Sequence, residues 1–260
     1  VFEGERMYDG QIFELQAHTN RLFRSAELLD FTIPYTQSQV NRACEDACAR
    51  NGLTDCYVRP IAWRGAEQLG VSALQTTIHM AIAVWAWPKY FDEAKRAQGI
   101  RLCWAKYRRP PASAAPTAAK AVGLYMICTV SKNAAERNGY EDALMLDSDG
   151  FVAETTGANI FFVKDGALHT PRPDCFLDGI TRQTIIKLAK QRGVAVIERR
   201  ISPEELGEFS ECFVVGTAAE VTPVGEIGDL RFKPGALTFA LSEAYDNLVH
   251  TKAPMLEPIA

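Results

Sequence analysis

Short runs of apolar and β-branched residues, several closed by a turn dipeptide, alternate along this chain with stretches whose apolar positions recur every three or four residues. The first kind predicts strands. Residues 2–7 and 11–15 flank Asp9-Gly10 and read as a hairpin, because Asp-Gly suits a turn whose central residues take positive φ. Residues 143–146, 151–154, 159–163 and 167–169, punctuated by Asp149-Gly150 and Asp165-Gly166, read as a meander. Further strands are expected at 55–63, 99–105, 194–198 and 211–215, and a buried one at 78–85. Helical spacing is clearest in 18–30, where Leu22, Ala26 and Leu29 share a face. Helices are also expected at 37–50, 121–137 and 181–192, each followed by a glycine that supplies a left-handed stop, and at 239–248.

Composition narrows the class. The 260 residues are 47% hydrophobic and 23% charged, which fits a soluble globular protein and excludes disordered, collagenous and coiled-coil chains. A net charge of −4 speaks against a dedicated binder of nucleic acid or anionic membrane, so the expected partner is a small molecule. The longest stretch without formal charge, 68–88, carries Gln68, Ser72, Gln75, Thr76, Thr77 and His79 and cannot fill a bilayer core needing about 20 apolar residues. No signal-peptide pattern opens the chain, since Glu3, Glu5 and Arg6 interrupt the first apolar residues. The 7 cysteines are scattered without a CxxC pair, which predicts reduced thiols and a cytoplasmic location. Cys44 and Cys48 stand one helical turn apart, but no further ligands lie near them and no metal site is expected. Pro88, Pro110, Pro111 and Pro116, with the basic run Lys106, Arg108 and Arg109, mark a change of composition and a hinge near 89–96.

Candidate chemistry begins with Lys120 in PTAAKAVG, where small and apolar neighbours precede a helix. A desolvated lysine near a helix start has a depressed pKa, which a Schiff-base lysine needs because only the neutral amine is nucleophilic. A solvent-facing lysine after small residues is the plain alternative. LDGITRQ (177–183) runs from a turn into a helix, leaving the amides of Ile180 and Thr181 as orphan donors for a phosphate. VVGTAAE (214–220) leaves a buried strand through Gly216 into Thr217, a second such cup, although ordinary capping explains either alone. Neither GxxxxGK[ST] nor GxGxxG is present, so nucleotide readings lose support. Glu154 ends a strand in a run uncharged from Phe151 to Val163, and Arg59 sits among apolar strand residues in CYVRPIAW. Each is either exposed at its charged end or paired with an opposite charge.

VFEGER, HTNRLFRSA, YVRP, PTAAKAVGLY, VAETTGANIFFVKDG, CFLDGITR and GTAAEVTPV together resemble, in order and spacing, the branched-chain amino acid aminotransferases of class IV. The resemblance runs from Val1 to about Ile227 and implies pyridoxal 5'-phosphate (PLP) as cofactor. It makes Lys120 the catalytic Schiff-base lysine, places Tyr125 on the cofactor's phenolic oxygen and pairs Glu154 with the pyridine nitrogen. Arg21, Ile180, Thr181 and Thr217 would hold the phosphate beside the turn at Gly179, with Leu177 packed on the ring. Tyr57 and Arg59, with Thr217, Ala218 and Ala219, would recognise substrate carboxylates, and Phe2, Trp87 and Tyr90 would line the side-chain pocket. Leu69 and Val71 would reach a partner subunit's site, which implies a homo-oligomer, at least a dimer.

The implied fold is α+β in two domains: a small N-terminal α/β sandwich over 1–90, a linker at 91–98, and a larger C-terminal PLP-binding pseudo-barrel over 99–260. The implied reaction moves the amino group between L-leucine, L-isoleucine or L-valine and 2-oxoglutarate, with amino acids and 2-oxo acids as the partners, and neither nucleic acid nor membrane. A D-amino acid or amine transaminase, or an aminodeoxychorismate lyase, could use the same scaffold, and a non-catalytic PLP-binding protein is the remoter alternative. Against the family pattern, Val1 aligns a few dozen residues in, so the pattern's first strands and one aromatic pocket residue would precede it. Family members also commonly have Met or another apolar residue where Leu69 stands.

Overall fold

The computed structural model describes residues 1–87 and 97–251, so Tyr90 and most of the expected linker lie outside the described residues. Two sheets organise the chain. The first is antiparallel, in the order β2-β1-β3-β4, from β1 (Glu5–Tyr8), β2 (Gln11–Ile12), β3 (Cys56–Arg64) and β4 (Ile78–Trp85). Helices α1 (Leu15–Leu28) and α2 (Gln37–Arg50) cover one face, burying Leu22, Ala26, Val40, Cys44 and Cys48 against Met7, Val58 and Ala62. Thr36 starts α2 with a capping box, its hydroxyl accepting from the Gln39 amide while the Gln39 side chain accepts from the Thr36 amide.

The second sheet runs β10-β9-β8-β11-β12-β5-β6-β7, with β13 paired to β12. Its strands are β5 (Ile100–Trp104), β6 (Asp142–Leu146), β7 (Val152–Thr155), β8 (Asn159–Lys164), β9 (Ala167–Thr170), β10 (Val196–Glu198), β11 (Glu211–Gly216), β12 (Glu220–Ile227) and β13 (Leu230–Arg231). Helices α3 (Met126–Arg137), α4 (Ile180–Gln191) and α5 (Ala236–Val249) complete the α+β fold. The central strands are buried on both faces. Phe161 and Phe213, stacked at 5.2 Å, point with Val215 toward Ile185, Leu241 and Tyr245 of α4 and α5. Ile160, Phe162 and Val214 point the other way, toward Leu144, Val224 and Phe232. That is the period-2 alternation of a strand between two cores.

Several expected elements differ for local reasons. Strand 2–7 is shorter, because Phe2 makes only a single bridge to Ile61. Strand 11–15 is cut at Ile12, since Glu14 at φ 52 turns the chain into α1, which starts ahead of the expected 18–30 helix. Helix 121–137 is a 3-10 turn, Val122–Tyr125, followed by α3; Ala121 is extended, so Lys120 precedes the helix rather than lying in its first turn. The meander is two separate hairpins. β6 pairs with β7 and β8 with β9; the tight turn closed by Thr155 N–H to Ala158 O carries the chain from β7 to β8, and β8 takes β11, not β7, as its other neighbour. Strand 78–85 has the expected limits but is only half-buried, because β4 is the edge of its sheet. Strand β12 and the 3-10 helix Pro203–Glu208 have no counterpart among the expected elements. Among the described residues, no helix is long and apolar enough to cross a membrane.

Candidate active site

Lys120 sits where the two sheets meet. Its carbonyl accepts from the Phe2 amide, and its own amide donates to Ser25 Oγ of α1 at 3.0 Å. These backbone ties fix the stem, and the ammonium donates to the Tyr125 hydroxyl at 2.9 Å while lying 5.0 Å from the centre of the Phe2 ring. Tyr125 is held in turn by edge-to-face packing on Phe2 at 5.1 Å. Arg21, Tyr125, Glu154, Leu177, Gly179, Ile180, Thr181 and Thr217 all line the cleft around Lys120.

At one end lies an anion-receptive corner. Helix α4 begins at Gly179 without a side-chain cap, so its first amides depend on another acceptor. Gly179 is required there: a Cβ would stand 2.2 Å from Asn159 Oδ1. Arg21 faces the same corner and is gripped by Glu3, with Nε to Oε1 at 2.7 Å and an Nη to Oε2 at 2.8 Å. His18 Nδ1 donates to Glu3 Oε2 at 2.7 Å. Burial works against the Glu3 carboxylate, but the charge and hydrogen bonds of Arg21, joined by His18, hold it well below the usual carboxylate range. Burial keeps His18 below its ordinary value despite that bond. Removing one partner of such a buried pair typically costs about 3–5 kcal/mol.

At the other end is Glu154. Arg109, itself buried, approaches its Oε1 at 3.5 Å, and Asn159 Nδ2 donates to Oε2 at 3.3 Å and to the Leu177 carbonyl at 3.0 Å. Burial pushes Glu154 up to about 7, against the opposing charges of Arg109 and Lys120. Arg109 also reaches the Cys175 carbonyl and Cys128 Sγ, each at 3.4 Å. An amine between an anion-receptive corner and a buried carboxylate offers the chemistry PLP needs, a seat for a phosphate and an acid for a ring nitrogen.

Above Lys120 is a second anion-receptive wall. An Nη of Arg59 donates to the Tyr57 hydroxyl at 2.9 Å, and the guanidinium lies 4.7 Å from the Phe2 ring centre. Arg59 Nε is buried with no hydrogen-bond partner among the described residues. Tyr57 packs on Trp85 and Trp87 at 5.1 and 5.0 Å, and Gly4 leaves it room, since a Cβ there would lie 2.0 Å from its hydroxyl. The segment 217–219 is a hairpin turn between β11 and β12, not the strand-to-helix junction the sequence suggests. Leu69 and Val71 are 93% and 106% exposed, and neither lines the cleft of its own chain.

Glu3, His18, Asn159 and Arg109 belong to the site without having been singled out by sequence reasoning. Arg109 stands in a basic run, and its burial beside two exposed neighbours, Tyr107 and Arg108, leaves no mark in composition. Among the described residues, no cluster of His, Cys, Asp and Glu could hold a metal ion.

Comparison with known proteins agrees with this architecture. The family model for amino-transferase class IV matches residues 1–227. The branched-chain-amino-acid aminotransferase of Pseudomonas aeruginosa is 39% identical over 259 residues, covering 97% of this chain and 84% of that protein. Among solved structures, the branched-chain aminotransferase of Thermoproteus uzoniensis with norvaline superposes with a TM-score of 0.91 at 36% identity, covering 96% of this chain and 85% of that one. The branched-chain amino acid aminotransferase of Thermobaculum terrenum in its PLP form gives 0.89 at 30% identity, over 96% and 84%. With Lys120, Tyr125 and Glu154 gathered in one cleft, the chain belongs to the class IV aminotransferases and, within them, to the branched-chain amino acid aminotransferase family.

Proposed function

We propose that the Lys120 cleft transfers the amino group of L-leucine, L-isoleucine or L-valine to 2-oxoglutarate, with Lys120 as its catalytic residue. The observation that carries this reading is the Lys120–Tyr125 pair, set between the Arg21 corner and the Glu154–Arg109 pair in one cleft. PLP, when bound, supplies the carbonyl that receives the amino group and a ring that withdraws electrons from the substrate's α-carbon. Arg21, the amides of Ile180 and Thr181, and the Thr217 hydroxyl would hold its phosphate, and Leu177 would pack on the ring. Glu154 would face the ring nitrogen and keep it protonated through a charge-assisted hydrogen bond. With the cofactor bound, the Lys120 amine would take up at Nζ the proton leaving the substrate α-carbon and pass it to the cofactor rather than back to that carbon. Tyr125, hydrogen-bonded to that amine, orients it.

Substrate recognition divides along the walls of the cleft. Turn 217–219 and Tyr57 take the α-carboxylate, while Arg59 serves the side-chain carboxylate of glutamate. Phe2 and Trp87 exclude water from an apolar pocket suited to branched side chains. Leu69, Val71 and Leu74 stand uncovered on one loop, and Val122, Met126 and Val130 form an exposed apolar stripe. Both features support a homodimer in which the loop closes the partner's cleft. The free thiols suit a cytosolic location.

Purified protein loaded with PLP is expected to lose its visible cofactor band on addition of L-leucine and regain it with 2-oxoglutarate, forming L-glutamate. A response to D-alanine but not to L-leucine would overturn the substrate assignment. Sedimentation is expected to give a dimer, and a fully active monomer would refute the shared loop.

A further inference from the structure

One residue beside the cleft holds an unusual backbone. Strands β11 and β12 pair Val215 with Val221 and Gly216 with Glu220, leaving a three-residue turn at 217–219. Hairpins of this kind need a left-handed residue at their exit, a place normally taken by glycine or asparagine. Here it is Glu220, at φ 53. Such a backbone in an ordinary side chain persists only where the surroundings hold it. Tyr8 takes part in the holding: its hydroxyl donates to Glu220 Oε1 at 3.0 Å.

Tyr8 is a rigid donor. It belongs to β1 of the first sheet, yet its ring is 2% exposed and sits in the core formed by α4, α5 and the second sheet. Burial, with Tyr245 and the Glu220 carboxylate nearby, raises its phenol above the ordinary range, so it donates at every working pH. The turn is pinned from its other side by Thr222 Oγ1, which donates to the Ala219 carbonyl at 2.6 Å. Between these pins lie Thr217, which lines the cleft, and the amides of Ala218 and Ala219.

We propose that Glu220 is a positioning residue: held left-handed by Tyr8, it aims turn 217–219 at the substrate's α-carboxylate and couples the first sheet to substrate recognition. The proposal rests on the reading of that turn as the carboxylate cradle. Glu220 touches no reacting atom; it acts through the turn.

The test uses PLP-loaded holoenzyme and single-turnover spectroscopy of the leucine half-reaction. Tyr8→Phe is expected to raise the leucine concentration for half-maximal rate about tenfold, with cofactor content unchanged and the saturated rate altered less than about twofold. Glu220→Gln, whose amide oxygen still accepts from Tyr8, is expected to stay within about threefold of wild type, whereas Glu220→Gly should match Tyr8→Phe. The Tyr8→Phe/Glu220→Gly double variant is expected to be no worse than Glu220→Gly alone, because that variant already lacks the carboxylate to which Tyr8 donates. 3-Methylbutylamine, leucine without its carboxylate, supplies the readout that a general structural defect would move and this mechanism would not: its slow rate is expected to be equal in all forms.

Equal losses for leucine and the amine, additive losses in the double variant, or an unaffected Glu220→Gly would each overturn the proposal. Should Tyr8→Phe fail to fold, the Glu220→Gln and Glu220→Gly pair decides alone. A wild-type enzyme unresponsive to leucine would instead strike the reading of the cleft itself.

Discussion

Replacing Glu154 by Gln in the cofactor-free protein isolates the most consequential charge in the cleft. Burial raises its carboxyl from 4.5 to about 7. At ~1.36 kcal/mol per unit, ionising it inside the fold costs roughly 3 kcal/mol. The folded chain therefore keeps the Glu154 proton over a window in which the unfolded chain has already released it. More protons bound in the folded state means stability falls as pH rises. The Glu154 contribution is fully present below about 4.5 and is lost by the time pH has passed 7. The amide of Glu154→Gln cannot titrate. The other groups in this range, such as His18, act alike in both proteins and cancel in the difference. Urea unfolding of both apoproteins from pH 4.5 to 8 is expected to show wild-type stability, relative to the variant, declining by roughly 3 kcal/mol, at most about 1.4 kcal/mol per unit. A difference that stays flat across the range would mean that Arg109 keeps Glu154 ionised throughout, and would refute the reasoning. The functional point is that a carboxyl this reluctant to ionise alone does so readily once a cationic ring faces it.

Lys120→Ala is expected to lower turnover by more than about 5 kcal/mol equivalent while PLP is still retained through its phosphate; activity above a tenth of wild type would exclude Lys120. Arg59→Ala is expected to depress the glutamate half-reaction about 10²-fold and the leucine half-reaction far less, and equal losses in stopped-flow traces would mean that Arg59 supports the fold. Gly179→Ala places a methyl 2.2 Å from Asn159 Oδ1. The displaced amide also braces Glu154 and Leu177, so PLP should bind about tenfold or more weakly in a fluorescence titration, and an unchanged affinity would refute this.

What the sequence makes legible follows from what is local. Helix α2 and strand β4 have the limits that periodicity predicts, because a capping box at Thr36 and turn residues on either side mark their ends. The expected meander fails for the opposite reason. Nothing local tells β8 to pair with β11 rather than β7; that choice is made by cores far along the chain. The run after Lys120 reads as one helix because its apolar spacing ignores Gly123, where the backbone tightens into a 3-10 turn. In the cleft, Lys120, Tyr125 and Glu154 are reachable through motif resemblance. Glu3 and Arg109 are not, since a buried charge is recognisable only by its partner, and theirs come from distant segments.

The segment VFEGERMY shows why one short strand can serve every part of the site. Successive side chains of an extended chain point to opposite faces. On one face, Glu3 grips Arg21 and His18, and Met7 joins the core under α1 and α2. On the other, Phe2 packs at Lys120 and Arg59, Gly4 clears Tyr57, Arg6 donates to the Trp87 carbonyl at 3.4 Å, and Tyr8 reaches Glu220. The anion corner hangs from the odd positions, and the substrate walls hang from the even ones. Glu5 is the mismatch on the odd face, fully buried with neither oxygen bonded among the described residues. Burial, followed by the neighbouring Glu3 charge, raises its pKa well above the ordinary value, against the pull of Arg21. A one-residue slip would exchange the two faces at once, turning Glu3 into the substrate pocket and Tyr8 away from Glu220. The Arg21 corner and turn 217–219 are therefore held by a single register, and a slip of this strand would disturb both, whereas a change in one side chain can disturb either alone.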